Sequence, residues 1–251
     1  LRSSTPSATE FPDGEHVDLV VAGAGVTGLI TALMAAARGS SVVVLEARTV
    51  GAGASGSTTA KMSVLQGTRL SQLRARHGLD TARHSAEANQ DGLDWWDKFC
   101  ETHGVAVQRP RAVTFSRGRR GTSTLRREMG TLVELGLPAR WYNRIEVPFP
   151  ARAAVELPEQ MQFDPVEALG ALVRAAEALG VRIVEHARVT GLAVKGRGAD
   201  AFVQVTTNHG TVEASDAPTG ESSLTARDVV LATATPVLDH GPSVATLEAE
   251  R

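Results

Sequence analysis

The sequence predicts an α/β protein: a Rossmann-like unit with a central parallel sheet, joined to part of an α+β domain. Three observations predict it. Two short apolar runs, Val17–Ala22 and Ser41–Leu45, flank a helical pattern over Val26–Arg38. Glycines crowd the junction between the first run and that helix. Farther on, helical and strand-like patterns alternate without an internal repeat. The 251 residues leave room for one large domain or two small ones.

The elements follow in order. Leu1–His16 is polar, carries two prolines and lacks an apolar h-region, so it reads as a loose tail and not as a signal peptide. Val17–Glu46 has the size of one βαβ unit, with Gly39 closing its helix. Leu19–Ala37 is uncharged and long enough to span a bilayer. Its glycines cluster at a strand–helix junction, however, and Asp18 and Arg38 bound it closely, so no membrane span is expected.

Leu79–His103 reads as a helix whose buried face is Ala82, Ala86, Asn89, Leu93, Trp96 and Cys100. Val105–Gln108 and Ala112–Ser116 read as strands around Pro110. Thr122–Leu135 reads as a helix closed by Gly136, and Ala153–Leu157 as a strand. Asp164-Pro165-Val166-Glu167 is a helix start, with Asp as cap and Pro in the first turn. Val166, Leu169, Val173, Ala176 and Leu179 give that helix its expected buried face, and Gly180 ends it. Arg182–Glu185, Arg188–Val194, Ala201–Thr206 and Asp228–Ala232 read as strands. Asn208-His209-Gly210 reads as a turn and Ala214–Leu224 as an exposed loop.

Composition removes several functions. A 42% hydrophobic and 22% charged chain is that of an ordinary globular protein. A net charge of -2 leaves no basic excess for binding nucleic acid. One cysteine, Cys100, excludes an intrachain disulfide and any site needing several thiolates. It points to a reducing, cytoplasmic setting. The seven histidines show no metal-ligand spacing, so no metal is expected.

Gly23-Ala24-Gly25-Val26-Thr27-Gly28 is a Gly-x-Gly-x-x-Gly that follows a strand and opens a helix. Gly23 permits the tight turn, Gly25 lets backbone approach a pyrophosphate, and Gly28 lets the helix pack on the sheet. The helix N-terminus offers N–H groups and partial positive charge to phosphates. Glu46 ends the second strand, where a carboxylate accepts ribose hydroxyls. Gly51–Lys61 follows as a run of small and hydroxylated residues, suited to a second cradling loop or to a linker. The pattern alone does not choose between FAD and NAD.

The stretch VDLVVAGAGVTGLITALMAAARGSSVVVLEARTVGAGASGSTTAKM resembles the amino-terminal flavin-binding signature of the D-amino-acid oxidase/glycine oxidase superfamily. Thr58-Thr59-Ala60-Lys61, Gln162-Phe163-Asp164-Pro165 and Val181–Val189 resemble the branch of FAD-dependent oxidoreductases often fused to a carboxy-terminal Rieske domain. The likeness runs from about Val17 to Pro236. It implies a Rossmann-like FAD-binding domain plus part of an α+β substrate domain, incomplete at the C-terminus. The implied segments are 17–80 and 158–251 for FAD and 81–157 for substrate, after a tail at 1–16.

The resemblance also implies roles. Gly23, Gly25, Val26, Thr27 and Gly28 would hold the pyrophosphate. Glu46 would bind ribose, with Ala47 and Arg48 beside the adenosine. Ser55, Thr58, Thr59, Ala60, Lys61 and Met62 would run along the ribityl chain and flavin ring. The Val189 backbone would meet adenine, and Ala232 and Thr233 match a family Ala-Thr-Gly whose glycine is Ala234 here. Ala214–Leu224 would be an insertion.

The implied activity is oxidation of a small-molecule amine or amino acid by hydride transfer to FAD. An electron-acceptor protein or a Rieske domain would be the partner. One cysteine cannot supply a Rieske site, so that domain would lie outside this chain. The other readings are a non-catalytic or truncated FAD-binding piece and an NAD-dependent dehydrogenase. No catalytic residue is assigned. Lys61, Arg109 and Arg111 have the chemistry to tune a ring or grip a carboxylate, and ordinary surface roles compete with it. His186 is expected to be half-buried between strands.

Overall fold

A computed structural model describes residues 10–145, 147–209 and 220–233. It divides into two compact units, Leu1–Thr58 with Pro165–Arg251, and Thr59–Asp164.

In the first unit the apolar runs become neighbouring parallel strands, β1 (His16–Ala22) and β2 (Val42–Leu45), with Val20 opposite Val43. All four residues of β2 are buried, as expected for a strand covered on both faces. Each such valine or leucine contributes about 1.5–3 kcal/mol. Between them runs α1 (Val26–Ala36), which ends before Gly39 at φ +88°. Asp18, the third residue of β1, ties the pair at one end: its Oδ2 accepts the Ser41 backbone N–H and hydroxyl, both at 2.8 Å.

The second segment of this unit begins with α5 (Pro165–Ala178), which packs on α1. Its buried residues are Ala168, Leu169, Ala171, Leu172, Val173 and Ala176. Val166 and Leu179, expected on that face, are 51% and 49% exposed. The alanines at 168, 171 and 176 let the helix approach closely, so the buried stripe is centred away from both terminal residues.

Three strands follow: β9 (Arg182–Val184), β10 (Ala187–Lys195) and β11 (Phe202–His209). The last strand is β12 (Gly220–Leu231). The sheet order is β10-β11-β12-β1-β2-β9. The run β12-β1-β2-β9 is parallel and β10-β11-β12 antiparallel, so the parallel core carries an antiparallel flap. Val20, Val43, Leu45, Val189, Val205 and Leu224 belong to one buried cluster that joins both parts.

Two expectations change here. Gly220–Leu224 is not exposed loop but the first part of β12, paired with β11 and with Leu224 fully buried. Asn208 and His209 close β11 instead of forming a turn. Small polar residues conceal the strand because their partners, not their own apolarity, hold them. Ala214–Thr219, Gly210, Ala234 and most of the tail lie outside the described residues.

The second unit carries α2 (Arg69–His77), α3 (Leu79–His103) and α4 (Arg119–Glu134), with two small antiparallel sheets. One sheet joins β3 (Lys61–Met62), β8 (Met161–Phe163) and β4 (Val107–Gln108). The other joins β5 (Ala112–Ser116), β7 (Ala153–Leu157) and β6 (Arg140–Tyr142). On α3, Trp96 packs among Trp95, Phe99 and Phe163. The helix α4 starts three residues before the expected Thr122, because Gly118 serves as its N-cap and accepts the Thr122 N–H.

The seams lie at 58/59 and 164/165, whereas the resemblance implied 80/81 and 157/158. Residues 59–80 hold β3, which pairs with β8, and α2, which packs on α3 and α4. The helix α2 is mostly polar and buries only Leu70. Its first turn is held by Glu128 of α4, which is fully buried and accepts the Leu70 N–H at 3.3 Å and the Ser71 N–H at 2.8 Å.

Candidate functional site

The first unit contains a cleft of about 650 Å³ at the carboxyl ends of β1 and β2. Ligands of open α/β sheets bind at this end. Its floor is the turn from β1 into α1. Gly23 there has φ +109°, a region L side chains rarely adopt, and a Cβ on it would lie 2.7 Å from the Ala232 carbonyl oxygen. Gly28 lies in the first turn of α1, buried against the same loop.

The helix α1 has no cap from its own N-cap residue, Gly25, and its first N–H, that of Val26, donates to Ser55 Oγ at 3.0 Å. The first N–H groups of a helix have no intrahelical acceptor, and they carry its positive end. An anion in the cleft therefore meets backbone donors and favourable charge. Glu46 faces the same space. Its Oε2 accepts the Ala24 N–H at 2.8 Å and its Oε1 the Arg48 N–H at 2.9 Å. Each carboxylate oxygen accepts more than one hydrogen bond, so both retain capacity for a ligand hydroxyl.

Two further segments wall the cleft. Glu46 N–H donates to the Val184 carbonyl, while the Ala187 and His186 N–H groups donate to the carbonyls of Glu46 and Arg48. The β9–β10 turn thus grips the strand end that carries the carboxylate. His186 occupies that turn at φ +57° and is exposed, not half-buried as expected. The second glycine-rich run forms a 3-10 turn over Ala54–Ser57. It is fastened by Gly51 N–H on the Ala24 carbonyl and by Val50 N–H on Glu185 Oε1.

Of the sequence-predicted residues, Gly23, Gly25, Val26, Thr27, Glu46, Ala47, Arg48, Ser55, Val189, Ala232 and Thr233 line this one cleft. Gly28 does not line it and supports the floor. Thr58 ends the first unit, and Thr59, Ala60, Lys61 and Met62 open the second; none of the five lines the cleft. Ala60 holds φ +44° and Lys61 is exposed on β3.

Leu45, Ala187, Arg188 and Leu231 also line the cleft without an assigned contact, and Gly51, Ala52, Gly53 and Ala54 line it from the run read as a second cradling loop. Arg188 lies within the resembling stretch Val181–Val189 but carries no assigned role there, and the sheet order brings β10 to this end. Arg109 pairs with Asp97, and Arg111 pairs with the buried Glu156 at 3.1 Å. Both are engaged within the second unit. Among the described residues no group of three or more His, Cys, Asp or Glu side chains is placed to hold a metal, and no helix is long and apolar enough to cross a membrane.

The arrangement can hold a phosphate against the α1 N-terminus and a hydroxylated sugar against Glu46, between walls made of backbone and small side chains. These are the demands of an adenosine diphosphate, and the residues present fit it.

Comparison with known proteins agrees with that geometry. The sequence matches the family described as DAO, FAD dependent oxidoreductase, over residues 18–244. It is 26% identical over 183 residues to the Bacillus subtilis (strain 168) protein named "Putative Rieske 2Fe-2S iron-sulfur protein YhfW", covering 72% of this chain and 36% of that protein. Among solved structures, L-proline dehydrogenase from P. horikoshii superposes with TM-score 0.66 at 19% identity, covering 88% of this chain and 53% of that one. Glycine oxidase from Geobacillus kaustophilus gives TM-score 0.61 at 19% identity, covering 87% and 55%. The structural likenesses are likenesses of fold. The chain spans about a third of the length of the Bacillus relative and about half that of the two enzymes.

Proposed function

Because the chain belongs to the DAO family of FAD dependent oxidoreductases, we propose that its cleft holds the adenosine diphosphate part of FAD, and that the protein oxidises an amine or amino acid by hydride transfer to the flavin. When bound, FAD supplies the hydride acceptor. The chain's own residues bind and orient. Gly23, Gly25, Val26 and Thr27 present the helix N-terminus to the pyrophosphate, and Gly28 keeps that helix close. Glu46 accepts ribose hydroxyls, with Ala47, Arg48 and the Val189 backbone around the adenosine, and Ala232 and Thr233 close the wall. Thr58, Thr59, Ala60, Lys61 and Met62 are assigned to the ribityl chain and ring by resemblance.

The observation that carries this reading is the meeting of the α1 N-terminus and the Glu46 carboxylate in one cleft. The names of the fold neighbours, an L-proline dehydrogenase and a glycine oxidase, support an amine or amino-acid substrate. The Rieske name of the Bacillus relative supports an iron–sulfur electron acceptor outside these 251 residues. A cytoplasmic, reducing location goes with the single buried cysteine.

The purified protein tests it. The expected result is a flavin absorption spectrum that bleaches on anaerobic addition of an amine or amino acid. Failure to retain or take up FAD overturns the reading, and tight binding of NAD instead makes the protein a nicotinamide dehydrogenase.

A further inference from the structure

The sheet β5-β7-β6 of the second unit gathers charged and aromatic side chains on one face. Glu156 of the central strand stands opposite Val113 of β5 and Arg140 of β6, and Ala154 stands opposite Phe115 and Tyr142. Directly opposite residues share a face, and alternation adds Arg111 and Arg117 at the two ends of β5. Glu156 is only 4% exposed. Its Oε2 accepts from Arg111 Nη1 at 3.1 Å, and its Oε1 accepts from the Tyr142 hydroxyl at 3.3 Å. Arg140 Nη1 stands 3.8 Å from Oε1, in ion-pair range only. The Arg111 and Arg140 side chains remain 68% and 65% exposed.

One buried carboxylate thus aligns two guanidiniums from the flanking strands, and each keeps N–H donors beyond those that Glu156 takes. Paired guanidinium forks suit a second carboxylate. Beside them Val113 and Phe115 are each 38% exposed, and Phe115 packs on Phe149 with ring centroids 4.8 Å apart. Arg117 lies 5.2 Å from the Phe149 centroid and brings a third cation. Neutralising Glu156 needs one cation; this face supplies more, next to apolar surface left open. We propose that it binds a small organic carboxylate with an apolar body, the carboxylate between Arg111 and Arg140 and the body along Val113 and Phe115. A zwitterionic amino acid, the substrate class of the proposed reaction, would bring its ammonium among these cations. The face therefore takes a plain acid in preference to an amino acid.

Calorimetric titration of the full chain with 3-phenylpropanoate, phenylalanine and 2-phenylethylamine tests it. The three share a ring and chain and differ in carboxylate and ammonium. The plain acid is expected to bind, phenylalanine about tenfold more weakly, and the amine not at all. Arg140→Gln is expected to weaken the acid by about tenfold or more, the effect of losing hydrogen bonds between charged groups. Arg111→Gln is expected to do the same and serves if the first variant does not fold. Arg126→Gln removes equal charge from a guanidinium that lies over the Trp141 ring instead, and is expected to leave affinity unchanged. Absence of acid binding overturns the proposal, as does an affinity that neither Arg140→Gln nor Arg111→Gln lowers. Equal weakening by Arg126→Gln reduces the effect to bulk charge and overturns it too. Phenylalanine bound as tightly as the acid, with the same dependence on Arg140, makes this a site for amino acids and also overturns it. FAD retention enters none of these outcomes, so this proposal and the flavin reading fail separately.

Discussion

A Cβ placed on Gly28 would lie 1.9 Å from the carbonyl oxygen of Gly23, so the third glycine of the motif rests on the backbone of the first. Neither atom can rotate away, because one is main chain and the other is fixed by α1. Gly28→Ala is expected to cost about 3 kcal/mol or more, the upper range for overpacking a core. A urea midpoint close to wild type would contradict this contact.

Glu46 has two duties. Besides facing the cleft, it accepts the N–H groups of Ala24 and Arg48 and so fixes the floor and the strand end. Glu46→Gln replaces one acceptor with a donor. It is expected to weaken FAD binding and to lower the stability of the unloaded chain by about 1–3 kcal/mol. Paired ligand titrations and denaturant melts separate the two losses; a melt unchanged from wild type would leave Glu46 as a ligand contact alone.

Glu128 is the cap that α2 lacks in its own sequence. Glu128→Ala strips two helix donors and empties a fully buried position, an expected cost of about 2–4 kcal/mol. Hydrogen exchange at Leu70 and Ser71 is expected to speed up before that of α3. Uniform acceleration across the second unit would argue against a local cap.

The Ser41 backbone N–H and hydroxyl, with Arg227 nearby, hold the Asp18 carboxyl below the usual carboxylate range. A depressed folded-state value means the stabilisation is whole above the unfolded-chain value and is lost as pH falls through the folded one. The wild-type advantage in melting temperature over Asp18→Asn is therefore expected at neutral pH and to shrink on acidification below the ordinary aspartate range. An advantage independent of pH would detach it from ionisation.

The floor of the cleft was legible because local rules fix it. Gly23, Gly25, Gly28 and Glu46 lie within one βαβ unit, and sequence spacing places them. The residues that β10 and β12 bring were legible only by resemblance, as with Val189 and Thr233, or only as part of a resembling stretch with no role of their own, as with Arg188. No periodicity announces that a strand some 140 residues later will return beside β2. The helix α2 shows the other limit: its hydrogen-bonding partner is a side chain 57 residues away. The long helices were plain because their faces repeat, and Leu79–His103 matches its expected bounds.

The wall built by Ala232 and Thr233 fixes when the cleft can come into being during synthesis. The βαβ floor, complete by Glu46, leaves the ribosome ahead of the other walls of the cleft. Its neighbour in the sheet, β12, ends at Leu231 and pairs with β1 across most of the chain. At ordinary elongation rates the floor waits about ten to forty seconds for that strand. During this interval β1 has an unpaired edge, and nascent-chain chaperones have reason to cover it.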